Sequence, residues 1–458
     1  MKFFDKVSIK YIVGYSSLIL SSFCFGQPSI PVGQLNSTEN KAISIINGQA
    51  NWLTNLYQDI HQHPELAFME KRTSSLIAKE LKSLGFEVKS GIAQTGVAAI
   101  LRNGVGPIVM YRADMDALPM EEKTGLPYAS KVKTIQSDGT ETSVAHMCGH
   151  DAHVTWMLGM AKTMVALKKE WSGTIILIAQ PAEEVLGGAK AMLADGLWEN
   201  YKLPKPDYYF AVHTAPIPVG SVVNASGPLM AGTDQVNIAF KGIGGHGSSP
   251  FRANNPINMA ANAITQYQSI ITNKIDPQQP ASLSVGSVQA GNANNVIPSK
   301  ALVKMNIRWF DPLVRDKILD NINKISQGAA QMQGISGEQL PDVQIIGSST
   351  PTINDKELTE RLNQPLKALL GANQVITKIK PVMGSEDVQE LLGKYHSDVP
   401  FAFLFIGVAD PEIFRNALKQ GKEMPYVQHS PNYIVDLKAL PIGTQISAIS
   451  MLELLSKK

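Results

Sequence analysis

The sequence predicts an α/β protein: a mixed sheet flanked by helices, with a smaller α+β unit inserted into it. Three observations carry this expectation. Short β-branched runs alternate with helix-period segments through the first half of the chain and again near its end, as in strand–helix–strand units. Polar residues gather where the apolar runs stop, and in open α/β sheets functional groups collect beyond the carboxyl ends of strands. Between Thr233 and Ser348 the pattern shifts to alternating, half-exposed strands mixed with helices, the mark of an antiparallel unit. The expected organisation is a leader of residues 1–26, a discontinuous larger domain of residues 27–232 and 349–458, and an insert of residues 233–348.

A chain of 458 residues exceeds one ordinary core, which agrees with two domains. Its 44% hydrophobic and 17% charged residues describe a globular chain. Lys2, Lys6 and Lys10 lead into the apolar run "YIVGYSSLILSSFCFG", and small residues (Cys24, Gly26) follow, which reads as a signal peptide. A membrane anchor is the competing reading, but the run is short for a span. Lipid attachment at Cys24 is another, and the bulky Phe23 before it argues against that. The expected product is exported, periplasmic or secreted, with no stable membrane association once the leader is gone. Removing it takes away three lysines and Asp5, leaving 38 basic and 38 acidic residues. No Lys/Arg-rich run remains, so no nucleic-acid partner is expected. Cys148 is then the single cysteine, unable to form an intrachain disulfide and in need of protection in an oxidising compartment.

Along the chain, helical periodicity from about Ala42 to Leu84 stops at Gly85. "TGVAAILRN" and "GPIVMYRADMDALP" read as strands, the second delivering Asp114 and Asp116 at its end. "HVTWMLGMAKTMVALKK" reads as a helix, "TIILIAQPAEE" as a buried strand ending in Glu183 and Glu184, and "DYYFAVH" as a strand ending in His213. In the insert, "DQVNIAFKGIGG", "SLSVGSVQAG" and "NVIPSKALVKMNIRWF" are strand-like, "NPINMAANAITQYQSII" is helical, and a helix starts near Pro312. Helix–strand alternation resumes at "DKELTERLNQPLKALLG" and ends in a helix after Leu437.

Residues 145–154, "AHMCGHDAHV", hold three of the nine histidines and Cys148. In Cys148-Gly149-His150 the glycine allows a thiolate and an imidazole to converge. Such a pair is weak evidence alone, as are the adjacent Glu183 and Glu184, which a solvated loop also explains. A strand histidine such as His213 is more often a satisfied core residue than a ligand. Together, however, Cys148, His150, His213, His429 and a glutamate supply donors for two divalent ions, with Cys148 as the bridge. Zinc suits this mixture; manganese, with its preference for oxygen, cobalt and nickel are the alternatives. Of the paired glutamates, one would be a ligand and the other a base that takes a proton from water and passes it to a leaving amine. A cysteine hydrolase with Cys148 as nucleophile is the rival chemistry.

The segments "LYQDIHQHPELAFMEKRT", "YRADMDALPM", "CGHDAH", "QPAEE", "GIGGHGSSP", "NVIP", "GSED" and "HSPNYIVD" occur in the order seen in the M20 metallopeptidase family, from about Trp52 to the C-terminus. They most resemble its amidohydrolase branch of hippurate hydrolases, N-acyl-amino-acid deacylases and auxin-conjugate hydrolases. The resemblance implies a catalytic α/β domain holding two metal ions and an inserted lid or dimerisation domain, hence a homodimer through the lid. It makes Cys148 the bridging ligand, with His150 and His213 on one metal, Glu184 and His429 on the other, and Glu183 as the general base. Asp116 would orient a neighbouring ligand. His246, on the lid, would stabilise the oxyanion, often in the partner's site. Asn295, Arg308 and Gly384 would contact the substrate carboxylate. His61, His63 and Glu65 read as structural and His153 as standing behind a ligand; His146 and His396 have no assigned role. Phe251 and Asn255 stand where many relatives have histidine and aspartate, and "AVHTAPIPVG" lacks the aromatic usual after the histidine. The segment before "AHMCGH" is longer than usual. The expected activity is hydrolysis of N-acyl-amino acids or similar small amides. A dipeptidase or carboxypeptidase on the same scaffold is the alternative, and a binding protein that has lost turnover is disfavoured by the complete set of ligands and base.

Overall fold

The computed structural model describes residues 34–136, 139–394 and 396–455, so the expected leader lies outside the described residues. The larger unit is built on an eight-stranded mixed sheet. In spatial order its strands are Glu87–Ile92, Gly96–Asn103, Gly173–Gln180, Ile108–Asp114, Tyr208–Pro218, Phe401–Ala409, Val222–Val223 and Val375–Ile376. The four central strands, from Gly173–Gln180 to Phe401–Ala409, run parallel. Successive side chains enter opposite cores: Val109, Tyr111 and Ala113 join one apolar cluster and Met110 the other. Burial on both faces explains why these strands read as continuous apolar runs.

On one face the helices His150–Ala166 and Ala439–Leu455 pack together, both buried along most of their length. They approach closely because Gly443 lacks a side chain. A Cβ there would lie 2.2 Å from Cε2 of Trp156, which is fully buried. The helix Ala50–Gln62 is fastened to the same layer by His61, whose Nδ1 meets Asp151 Oδ2 at 2.6 Å and whose Nε2 meets Glu122 Oε1 at 3.2 Å.

The smaller unit has its own apolar cluster. Its antiparallel sheet runs in the order Ala281–Ala290, Lys300–Trp309, Gly232–Lys241 and Val343–Ser349, covered by helices Pro256–Lys274 and Pro312–Gln331. Asn255 and Asp311 cap those helices, each ahead of a proline in the first turn.

Several elements differ from expectation. The continuous helical stretch is three helices, Ser37–Gly48, Ala50–Gln62 and Lys71–Ser83. Its second break is the segment around Pro64, and Glu65 receives the N–H groups of the second and third residues of the third helix, Arg72 and Thr73, at 2.9 Å each. His213 does not end its strand, which continues to Pro218 paired with Phe405–Ala409, with an irregularity between Gly407 and Ala409. The long segment before Cys148 forms the small hairpin Lys133–Ile135 with Glu141–Ser143. Among the described residues no helix is long and apolar enough to cross a membrane.

Two stability measurements test this packing. Gly443→Ala should destabilise by about 2 kcal/mol through overpacking against Trp156, read from urea unfolding. His61 is the second case. Burial disfavours its charged ring, but Asp151 and Glu122 raise its pKa from 6.5 to about 9. A raised folded pKa stabilises below the unfolded value and is lost as pH rises through the folded one. The stability advantage of the wild type over His61→Asn should therefore shrink between pH 6.5 and about 9. A difference that stays constant over that window would contradict a charged, ion-paired His61.

Candidate metal centre

The cluster forms where the parallel strands deliver polar groups to one end of the sheet. Asp114 ends one strand and Asp116 follows it, while Glu183 and Glu184 lie just beyond Gln180. His213 comes from the neighbouring strand, and Cys148 and His150 from the turn that starts the helix His150–Ala166. Gly149 in that turn has φ 86°, and a Cβ would sit 2.6 Å from the Thr214 side chain, so glycine is needed twice over. His429, at φ 61°, is tied to the same turn by its N–H, which donates to Met147 O at 2.8 Å.

The hydrogen bonds decide which imidazole nitrogens remain open. His150 Nδ1 donates to Asp116 O and His213 Nδ1 to Thr214 O, both at 2.8 Å. Each ring must therefore carry a proton on Nδ1, which makes Nε2 the nitrogen that can offer a lone pair to a metal once unprotonated. His150 Nε2 has no hydrogen-bond partner and lies 3.8 Å from both Glu183 and Glu184, while His213 Nε2 faces Cys148 Sγ at 3.5 Å. His153 differs. Its Nδ1 meets Asp114 and its Nε2 accepts the Thr214 N–H at 2.8 Å, so neither nitrogen is open. His429 Nε2 lies 3.2 Å from Glu184 Oε2, and donor atoms of Cys148, Glu184 and His429 fall within 4.8 Å of one another.

Negative charge dominates. Asp114, Asp116, Glu183, Glu386 and Asp387 are buried, and Arg112 is the cation among them. It contacts Asp114 at 2.5 Å, Glu386 at 2.7 Å and Asp387 at 3.3 Å. Burial, then the carboxylates of Glu386 and Glu184, push the Glu183 pKa well up. Burial and Glu386 likewise raise Asp387 to about 8. Burial, then Glu184 and Glu183, push the Cys148 thiol up. Burial opposes a charged His150, yet the Asp114 carboxylate and the Asp116 hydrogen bond raise it to about 10. The donor set fits divalent cations: Nε2 of His150 and Oε1 of Glu184 are buried without hydrogen-bond partners, and thiol, imidazole and carboxylate donors converge amid excess negative charge.

Cys148, His150, Glu183, Glu184, His213 and His429 are thus brought together. Asp116 adjoins them: its two carboxylate oxygens accept the N–H groups of Glu183 and Glu184 at 3.1 and 3.0 Å. His246 and Asn295 lie together on the insert, where Gly245–His246 pairs with Val296–Ile297. His246 is exposed and bonds to Ser248 Oγ, and among the described residues no hydrogen bond or ion pair joins it or Asn295 to the cluster. Arg308 and Gly384 form another pair, since Arg308 donates to Met383 O at 3.2 Å and Ser385 Oγ at 2.7 Å, on either side of Gly384. Sequence reasoning did not assign Arg112, Glu386 or Asp387. The motif "GSED" was the available signal for the two acids, and nothing local marked the arginine.

The sequence profile described as Peptidase family M20/M25/M40 matches residues 110–448. The chain is 39% identical to the hippurate hydrolase of Campylobacter jejuni over 332 residues, 72% of this chain and 82% of that protein. It is 34% identical to thermostable carboxypeptidase 1 of Saccharolobus solfataricus over 405 residues, 87% of this chain and 94% of that one. Among solved structures, a dinuclear metal-binding M20 peptidase of Bacillus subtilis is similar with a TM-score of 0.68 at 27% identity, covering 89% of this chain and 99% of that one.

Asp116→Asn exchanges one acceptor oxygen for an NH2 group facing a peptide N–H. Zinc affinity of the metal-free protein, measured by calorimetric titration, should fall about 10–100-fold. Unchanged affinity would show that the Glu183–Glu184 turn does not depend on this carboxylate.

Proposed function

This chain belongs to peptidase family M20/M25/M40 and is a metal-dependent hydrolase of amide bonds, and from that premise we propose how its residues divide the work. Cys148, His150, His213, His429 and Glu184 would hold two divalent ions, zinc being favoured by the nitrogen and sulfur donors. Bound there, the ions would polarise the amide carbonyl and acidify a water molecule. Glu183 would take the water's proton and hand it to the leaving amine nitrogen.

The observation that carries this reading is the unequal setting of two adjacent glutamates. Glu184 faces His429, whereas Glu183 is buried in the acid cluster with Glu386 and Asp387. Burial and that negative surrounding raise the affinity of Glu183 for a proton, as a base that must accept one requires. Arg308, with Gly384, would receive the carboxylate of an N-acyl-amino acid, and Asn295, which lies beside His246, would reach it together with that residue. His246, whose exposed side chain bonds to Ser248 Oγ, would serve a second copy's oxyanion across a lid-to-lid homodimer. Export to the periplasm or beyond is supported by the basic and apolar leader of residues 1–26. Both the hippurate hydrolase and the carboxypeptidase relatives are consistent with a carboxylate-bearing amide substrate. Peptide carboxypeptidase activity is the second reading, supported by the 34% identity to the Saccharolobus enzyme.

The test is metal analysis of purified protein beside hydrolysis of hippurate, N-acetyl-amino acids, an auxin conjugate and dipeptides, wild type against Glu183→Gln. The expected result is bound metal in both proteins, with kcat lowered about 10²–10⁴-fold in the variant. Turnover that survives the substitution would overturn the assignment of the base, and the preferred substrate would separate the two readings.

A further inference from the structure

The turn that presents Glu183 and Glu184 is held in an unfavourable conformation. Ala182 has φ 52°, in the left-handed region that costs a residue with a Cβ about 1 kcal/mol. The turn is closed by Leu186 N donating to Glu183 O at 2.7 Å and Gly188 N to Ala182 O at 3.0 Å. It also presents three successive peptide N–H groups to carboxylates. Asp116 receives those of Glu183 and Glu184, and Glu70 Oε1 receives that of Ala182 at 2.9 Å.

Glu70 is an unusual partner for this turn. It is wholly buried, and no ion pair reaches it among the described residues. Its Oε1 also accepts from Phe68 N at 3.0 Å, and its Oε2 from Thr95 Oγ1 at 2.6 Å. It occupies the position just before the helix Lys71–Ser83, where a side chain ordinarily caps the first turn, yet it makes no cap. Glu65 does that work instead, through Arg72 N and Thr73 N. Burial, and then the charge of Asp116, raise Glu70 to about 7. A buried carboxylate without a cation is expensive. A chain that needed only a helix start would leave this one facing solvent.

We propose that Glu70 is a positioning residue for hydrolysis: by holding the Ala182 N–H it fixes the strained turn, so that Glu184 faces His429 while Glu183 is turned into the acid cluster. The inference rests on the reading of Glu183 as the base and extends the machinery to a residue 112 positions before Ala182. It acts through the turn and touches neither substrate nor ligand atoms.

Three variants test it: Glu70→Gln, Glu70→Ala and Thr95→Val. Each is assayed for kcat and KM, for bound metal, and for hydrogen exchange of the amides of residues 182–184 in the metal-free protein. Glu70→Gln keeps the oxygen for Ala182 and Phe68 and offers its NH2 to the Thr95 hydroxyl, so kcat should stay within about threefold of wild type. Glu70→Ala should lower kcat about a hundredfold while KM moves less than about threefold, and should speed exchange at residues 182–184. Thr95→Val should fall between, with kcat down about tenfold. Normal kcat or unchanged exchange in Glu70→Ala overturns the proposal, as does a Glu70→Gln protein as impaired as Glu70→Ala. Should Glu70→Ala fail to fold, a Thr95→Val protein with wild-type kcat and exchange overturns it equally. If the wild type hydrolyses none of the substrates, the proposed function fails and the exchange data alone decide on Glu70.

Discussion

Arg112 carries its charge into the middle of the eight-stranded sheet, where it is wholly buried and donates to Asp114, Glu386 and the Gln180 side chain. A charge so placed is tolerated only when paired and hydrogen-bonded on every side. Its partners come from two neighbouring parallel strands and from a segment more than 270 residues later, so the pairing joins the sheet to the chain that follows the insert. Asp114, held this way, can direct its other oxygen to His153, which in turn receives the Thr214 N–H and steadies the strand bearing His213. That buried ion-pair network thus reaches, through His153, the Thr214 peptide whose carbonyl holds the His213 ring.

The same segment also answers to the insert. Ser349 Oγ, at the boundary between units, hydrogen-bonds Glu386 O, and Arg308 reaches Ser385. Lys190 Nζ bonds Ser348 Oγ at 2.6 Å, just beyond the Glu183–Glu184 turn. The residues around the base and the residues where the chain enters the insert therefore share hydrogen bonds.

The main strands and helices could be read from the sequence because burial on both faces writes a strand as an unbroken apolar run, and because caps such as Asn255 and Asp311 announce a helix locally. Cys148, His150, His213 and His429 stood out because cysteine and histidine are rare in this chain, and the glutamate pair because adjacent carboxylates after an apolar strand need a reason. Arg112 had no such mark. It lies inside an apolar run, and its partners Glu386 and Asp387 are acids like many others until the fold brings them near. Glu70 was equally silent, since its partner Ala182 is a backbone group that any residue would supply. The termination of the His213 strand was misplaced for a related reason: pairing with Phe405–Ala409 extends the strand through residues whose own pattern does not require it. The break around Pro64 could have been read from the proline, and its neighbour Glu65 shows how the chain restarts the helix.

The strand Phe401–Ala409 lies between Tyr208–Pro218 and Val222–Val223 in the sheet, although it is made after the whole insert. During synthesis the edge of Tyr208–Pro218 must wait for a partner nearly two hundred residues away, whereas every strand of the insert's sheet is made before that partner, and Ala281–Ala290 pairs with the strand that follows it closely, Lys300–Trp309. Local contacts form faster than distant ones. The insert can thus complete its sheet before the late strand is made, and because Thr233 and Ser349 are register partners, its closure brings the two ends of the chain's detour side by side. That shortens the effective loop which the late strand must close. The insert would then serve the nascent chain as a splint.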